Sequence, residues 1–542
     1  MNAGRFVRWS ALLRPLVLAG ALLGALVTPA WAQHSDSRVP ILAYHDIVDS
    51  PEGADADAVS MASFSAQMTW LKTQGYTVLS VQDYLDHRAT KRAFPPKSVM
   101  LTFDDGYLSF YTHAFPLLRA LEFPSTLAVV GSWVTPPSGV PAARPSDAGP
   151  LPATPRASAD QLKELANSGW VELASHSYDL HRGVRANPQG NKLPSASASL
   201  LGDGYESSTA YKDRLGEDLS RNSALLKTIS GRAPRVMVWP YGSYTSQALL
   251  IAEQTGHKLS FSLDADTFTF GQNEVAGRVY VNGPLTLAQF SDAVQAGVQP
   301  RPARRHVAVQ VPASALQDGG LSEAWLGTLV QSLAESGSTL ALLSPVLADP
   351  ALGPCRALAQ TQEMPVAADV LSRIAWQLQT RARVQVFLDL PLSSCALSDE
   401  AWTQLAQDIV ARVPVRGLVV RAPRSAAKLT EKLFDVMRSR VPNAQTASTL
   451  PELQQSFQLL SFNGCDATSA FVLRGPEFQY EVRAQECSGT DATQRLLRAG
   501  IRDFGSNFGP VTEPLRLRGA LRQANFGLLA ATAGGSLRGP SL

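Results

Sequence analysis

In the first half of this 542-residue chain, several short apolar runs stop abruptly at polar clusters, and that pattern constrains the fold more than any other feature. Val39-Pro40-Ile41-Leu42-Ala43-Tyr44 runs into His45-Asp46. Ser98-Val99-Met100-Leu101-Thr102-Phe103 runs into Asp104-Asp105-Gly106. Trp170-Val171-Glu172-Leu173-Ala174-Ser175 is followed at once by His176, and Val236-Met237-Val238-Trp239 by Pro240-Tyr241-Gly242. Short, nearly continuous apolar runs are the signature of strands buried on both faces, as in parallel sheets. Ser125 to Val130 reads as another such strand. Helical spacing fills the gaps: Phe64, Met68 and Leu71 share one face of 64–74, 110–121 reads as a helix, and 211–229 is a clear amphipathic one. Strands alternating with helices predict a parallel α/β sheet or barrel, in which ligands sit at the carboxyl ends of the strands. Every polar cluster named above lies at such an end.

Past a Pro-containing linker near 297–302, the same rhythm resumes. Strand-like runs at 306–311, 340–343, 384–388 and 417–420 alternate with helical spacing at 326–334, 370–379 and 402–413. The chain therefore divides into residues 1–32, a first α/β domain over 38–298, and a second over 302–530. Pro136 to Pro155 and Asn187 to Gly204 read as surface loops bordering a cleft.

Residues 1–32 read as an export signal. Arg5, Arg8 and Arg14 precede the apolar run 16–23, and Ala30-Trp31-Ala32 is an A-x-A cleavage pattern. The competing reading is an uncleaved membrane anchor. No Cys follows the apolar run, so a lipoprotein is not supported. The expectation is an exported, periplasmic protein, with outer-membrane association open. Without those three arginines the 48 basic residues fall to 45, against 46 acidic ones. A near-neutral mature chain gives no support for nucleic-acid binding, which needs a basic face. The four cysteines, Cys355, Cys395, Cys465 and Cys487, suit two disulfides in an oxidising compartment. Proximity favours Cys355–Cys395 and Cys465–Cys487, and the absence of C-x-x-C argues against a thiolate metal site.

The chemistry-bearing residues gather at the strand ends. Adjacent side chains on an extended backbone point opposite ways, but a bend at Gly106 can aim both Asp104 and Asp105 into one cleft. One carboxylate can then hold a metal while the other stays free to accept a proton. If His176 opens a loop or turn, His181 returns to the same ion. Two imidazoles and one carboxylate form a facial set that leaves coordination positions open. Such an ion lowers the pKa of bound water and polarises an acyl oxygen. One divalent ion is expected, with zinc, cobalt, nickel and iron all suited. Taken singly, an Asp-Asp pair is more often a solvated turn and a lone His more often structural. Their coincidence at successive strand ends favours a shared site.

In order and spacing, Thr102-Phe103-Asp104-Asp105-Gly106, His176-Ser177 with His181, and Trp239-Pro240-Tyr241-Gly242 resemble the motifs of NodB-type polysaccharide deacetylases. The resemblance implies a distorted (β/α) barrel. It assigns Asp104 as general base, Asp105, His176 and His181 as metal ligands, and the Tyr241 main-chain N–H as an oxyanion donor. Most of that family takes its general acid from a late His. Here His257, in Gly256-His257-Lys258, lacks that context, whereas Ala43-Tyr44-His45-Asp46 ends the first strand. This early placement resembles the rearranged order of the poly-β-1,6-N-acetyl-D-glucosamine N-deacetylases of biofilm export systems. His45 is therefore expected as the acid, with Asp46 as its holder. Val238 stands where the wider family often has Arg, which leaves Asp104 without an assigned partner. Trp239, Tyr241, Tyr178 and Trp133 are candidates to stack on sugar rings, though each equally suits a core.

The second half resembles the C-terminal domain of the same biofilm enzymes, through Met364-Pro365-Val366 and 372–382. There it is a (β/α) barrel that binds the polymer and in some members cleaves it. Val307 to Val311 continues as Pro312-Ala313-Ser314, and Gly417 to Val420 ends in Arg421-Ala422-Pro423, where carboxylates are expected. Glycoside cleavage needs paired carboxylates, so this divergent barrel-like domain is expected to be glycosidase-like but non-catalytic, with Asp389 and Asp466 as the only substitutes noted. The implied substrate is an N-acetylglucosamine polysaccharide, and an outer-membrane export pore the implied partner. Peptidoglycan, chitin-like oligomers and xylan remain alternative substrates, and a non-catalytic periplasmic glycan-binding protein the alternative class.

Overall fold

A computed structural model of the protein describes chiefly residues 39–50, 52–135, 153–264 and 275–298, then 308–311, 322–335, 340–348, 354–450, 457–465 and 468–474. The export-signal reading, Asp466, Cys487 and most of 136–155 lie outside the described residues. No described helix is long and apolar enough to cross a membrane.

Eight parallel strands run side by side in the first half. In spatial order they are Val275–Gly277, Leu259–Ser262, Val236–Val238, Val171–Ser175, Ser125–Val129, Ser98–Phe103, Ile41–Tyr44 and Val279–Tyr280. The two edge strands are consecutive in the chain. Val275, Ala276 and Gly277 pair with Ser260, Phe261 and Ser262, and after one intervening residue Val279 and Tyr280 pair with Leu42 and Ala43. One extended segment thus bridges both sheet edges, nearly closing a barrel, and Arg278 stands where it changes neighbour. Closure removes the exposed edges that an open sheet would leave.

Period-two alternation sorts the core into two layers. Ile41, Met100, Ala128, Ala174, Val236, Val238, Phe261 and Ala276 share an inner cluster. Their strand neighbours Leu42, Val99, Leu101, Leu127 and Leu173 pack outward against the helices. The helix Ser208–Ser230 shows why these segments fold as they do. Tyr211, Leu215, Leu219, Asn222, Leu226 and Ile229 recur on one buried face, Ser207 caps its first turn through Ala210 N, and Gly231 closes it with φ +76°.

The second half builds a seven-stranded sheet. Ala308–Val311, Leu340–Leu343, Gln385–Pro391, Gly417–Arg421, Gln445–Ser448 and Phe457–Cys465 run parallel, and Thr468–Arg474 adds antiparallel. Cys355 and Cys395 form a disulfide, one of the two expected pairs; Cys487 of the other pair falls outside the described residues.

The expectation that 187–204 is a cleft-side surface loop holds only in part: Pro188, Gly190, Lys192 and 202–204 are exposed, but much of the rest is covered. The segment is packed between the two halves: Asn187 is buried, Gln189 Nε2 donates to Asp369 O at 2.8 Å, and the Tyr205 hydroxyl donates to the Asp369 carboxylate at 2.7 Å. From the second half, Arg440 donates to Ser197 O at 2.9 Å. A Pro- and Ser-rich composition marks irregular backbone, not exposure; here a second domain covers much of it.

Candidate metal centre and acid-base site

Three non-glycine residues with left-handed backbone mark the carboxyl rim of the barrel: Asp105 (φ +70°), Ser177 (φ +70°) and Tyr241 (φ +58°). Such conformations cost energy and persist where the surrounding structure imposes them. The bend expected at Gly106 begins one residue earlier, at Asp105, and it turns the two carboxylates to different partners.

Asp104 continues the inner face of Met100 and Thr102 and is buried. Arg278, itself almost wholly buried, grips it with a two-pronged bond, Nη1 to Oδ1 at 2.7 Å and Nη2 to Oδ2 at 2.8 Å. The same guanidinium donates to Thr102 Oγ1 at 3.0 Å and to Ser262 O at 3.2 Å. Burial would raise the Asp104 pKa, but the charge and hydrogen bonds of Arg278, helped by His176 and His45, outweigh it and hold the carboxyl below its ordinary value. Arg278 is therefore the partner left unassigned by Val238. Sequence reading missed it because the role moved to the strand that closes the barrel. A lone arginine between two short apolar runs carries no local signal of it.

Asp105, His176 and His181 meet with one ligand atom each, all within 4.8 Å of one another. Asp105 Oδ1 lies 3.3 Å from His176 Nε2 and 3.1 Å from His181 Nε2, yet it is a buried oxygen with no properly aligned hydrogen bond. Three lone-pair-bearing atoms converging without donor–acceptor alignment fit a shared cation. A carbonyl can only accept, so His176 Nδ1 donates to Val238 O at 2.6 Å, leaving the Nε2 lone pair free to hold an ion. Burial would raise the Asp105 pKa, but the two histidines hold it well below its ordinary value. The residues present therefore suit one divalent ion.

The loop between the two histidines is held from behind. Asp218, on the helix Ser208–Ser230, accepts from Tyr178 N and Asp179 N, both at 2.7 Å. Four residues on, Asn222 donates to Val129 O at 3.1 Å and Ser175 Oγ at 2.8 Å. Neither residue was foreseen, although both fall on the helix's buried face. Burial pushes Asp218 up to about 6, against the pull of its two N–H donors. A carboxyl whose pKa rises on folding contributes stability that is present below about pH 4 and lost as pH rises through about 6. Wild-type stability measured against Asp218→Asn should therefore lose on the order of 2–3 kcal/mol across that window. A pH-independent difference in denaturant midpoints would remove this assignment.

His45 ends its strand beside the same carboxylates, its Nε2 3.9 Å from Asp104 Oδ2. The expected holder, Asp46, is engaged elsewhere: the Ser109 hydroxyl donates to it. Tyr280, on the barrel-closing strand, packs its ring 5.3 Å from the His45 ring. His257 is buried at the amino end of its strand, where Nδ1 meets Ala252 O at 3.1 Å, and takes no part in the site. Of the four aromatic candidates, Trp239 is fully buried and stacks on Tyr244, and Tyr178 is buried under Arg221. Only Tyr241, 51% exposed, and half-buried Trp133 stay at the rim, their rings 4.5 and 4.9 Å from His181.

Residues 91–260 match the polysaccharide deacetylase family, and residues 319–424 match the hypothetical glycosyl hydrolase family 13. The poly-β-1,6-N-acetyl-D-glucosamine N-deacetylase of Escherichia coli K12 is 28% identical over 360 residues, covering 65% of this chain and 53% of that protein. This chain thus spans about half the length of that relative. The enzyme of the same name from Staphylococcus aureus MSSA476 is 24% identical over 217 residues, 40% of this chain and 65% of that one. A solved de-N-acetylase from Aggregatibacter actinomycetemcomitans is 35% identical and covers 47% of this chain and 99% of its own, with a TM-score of 0.44. Through its first barrel, this chain belongs to the polysaccharide deacetylase family.

Proposed function

We propose that this chain is a metal-dependent N-deacetylase of an exported N-acetylglucosamine polymer, with poly-β-1,6-N-acetylglucosamine as the substrate. One observation carries the reading: a three-ligand set and a separately clamped, ionised carboxylate stand side by side at one strand end. A purely structural cluster would have no use for a second carboxylate kept charged beside the first. The names of the relatives supply the polymer.

In this reading Asp104 takes a proton from the attacking water as its oxygen bonds to the acetamide carbon. The C–N bond breaks as His45 delivers a proton to the departing nitrogen, giving acetate and a free sugar amine. The Tyr241 main-chain N–H is assigned to the developing oxyanion. A divalent ion at Asp105, His176 and His181 would supply Lewis-acid polarisation of the acyl oxygen and acidify a water. The second domain serves as a glycan-binding or packing module. Asp389, one of the two substitute carboxylates, is buried within its strand and accepts from Arg421 Nε at 2.7 Å, so a cation already occupies it. Chain shortening of the polymer by the full chain would contradict this. The export reading rests on residues 1–32; an intact Met1 on protein recovered from the periplasm would contradict cleavage after Ala32. Association with an export pore is proposed with it.

The test is acetate release from the polymer with each divalent metal in turn. A chelator should abolish release and one metal restore it. Activity untouched by exhaustive chelation would end the metal assignment, and silence on this polymer with release from another acetylated glycan would change the substrate. Binding of glycan by metal-loaded protein with no release from any would favour the binding-protein class.

A further inference from the structure

Beyond the clamp and the ligands, the rim carries a cation that the reaction does not use. After Asp105 and Gly106, the chain at 106–108 pairs with 155–157: Leu108 N donates to Pro155 O at 3.0 Å and Ala157 N to Gly106 O at 2.9 Å, with Tyr107 opposite Arg156. This pairing draws Arg156 onto the carboxyl rim. Its guanidinium carbon lies 3.7 Å from the centroid of the Tyr107 ring and 5.0 Å from that of Trp133. Nη1 donates to Thr154 O at 2.8 Å, fixing the group's orientation. Trp133 in turn stands between Arg156 and the ligand His181. Arg156 is half-buried, and among the described residues no carboxylate forms a salt bridge with it.

A guanidinium held between two aromatic faces is preorganised and remains charged at any working pH. It stands one ring beyond His181, where a sugar next to the reacting one would lie. The deacetylase reading supplies two states for that neighbour. An acetylated sugar is neutral and offers a carbonyl to the guanidinium, whereas a deacetylated sugar carries an ammonium. We propose that Arg156 makes the site sensitive to the amine state of the adjacent sugar, favouring an acetylated neighbour and repelling a deacetylated one. The enzyme would then space its products along the polymer rather than produce runs of free amines. This inference rests on the deacetylase reading.

The test uses metal-loaded full chain and two β-1,6-linked N-acetylglucosamine tetramers. One is fully acetylated; the other carries one free amine beside a defined acetylated unit. The readout is the ratio of acetate-release rates from that unit. Wild type should favour the fully acetylated tetramer roughly three- to tenfold, and the preference should shrink in high salt. Arg156→Gln should bring the ratio close to one and remove its salt dependence, while Arg156→Lys should keep a clear part of it. Because the readout is a ratio within one preparation, a partly folded variant still reports. An unchanged ratio in Arg156→Gln, no preference in wild type, or Arg156→Lys behaving like Gln would each overturn the inference while leaving the deacetylase reading intact. Wild type releasing no acetate from either tetramer would overturn both.

Discussion

Replacing Asp104 by Asn should cut acetate release by about 10²–10⁴-fold while the divalent ion stays bound. The substitution keeps the shape but removes the buried carboxylate that stands beside the ligand set without belonging to it. Ion content measured beside activity separates this outcome from a trivial one, since Asp105, His176 and His181 are untouched. Asp105→Asn should do the reverse, weakening ion binding first and activity through it. Activity in Asp104→Asn within about tenfold of wild type would show that another group takes the proton, and would reopen His45 for that role.

Arg278→Gln should be the most destabilising single change near the site. It leaves the Asp104 carboxylate buried without its counter-charge, and breaking a buried pair on one side costs about 3–5 kcal/mol. The same change removes bonds to Thr102 and to Ser262 O, which tie the barrel-closing segment to its neighbours. Denaturant unfolding would read the loss. Activity should carry a second signature. Burial pushes the Asp104 pKa up and Arg278 pulls it down, so without Arg278 the acid limb of the rate profile should move to higher pH. Arg278→Lys restores a positive charge but not the two-pronged geometry and should fall between the two. Wild-type stability and an unmoved acid limb in Arg278→Gln would show that the clamp is not what keeps Asp104 ionised.

Much of this candidate site was legible in the sequence because its residues lie within short stretches where local rules apply. A buried-type strand must end, the residues just past its end face the ligand side of a parallel barrel, and Asp104, Asp105 and His176 are those residues. His181 follows from loop reach alone, and His45 from the same strand-end rule. What stayed hidden depends on contacts distant in sequence. Arg278 reaches Asp104 across 174 residues, Asp218 reaches Tyr178 across 40, and Arg156 comes to the rim through backbone pairing rather than through any pattern of its own. The partial burial of 187–204 and the burial of Trp239 were equally out of reach, since composition reports what a segment can tolerate and not what packs over it.

The sequence by itself determined the alternation of strands and helices and the chemistry presented at the strand ends, because hydrophobic period and strand termination are local. Only the tertiary structure decided which charge balances which. Closing the barrel brings the last strand beside the first, and that closure sets Arg278 against Asp104 and Tyr280 against His45.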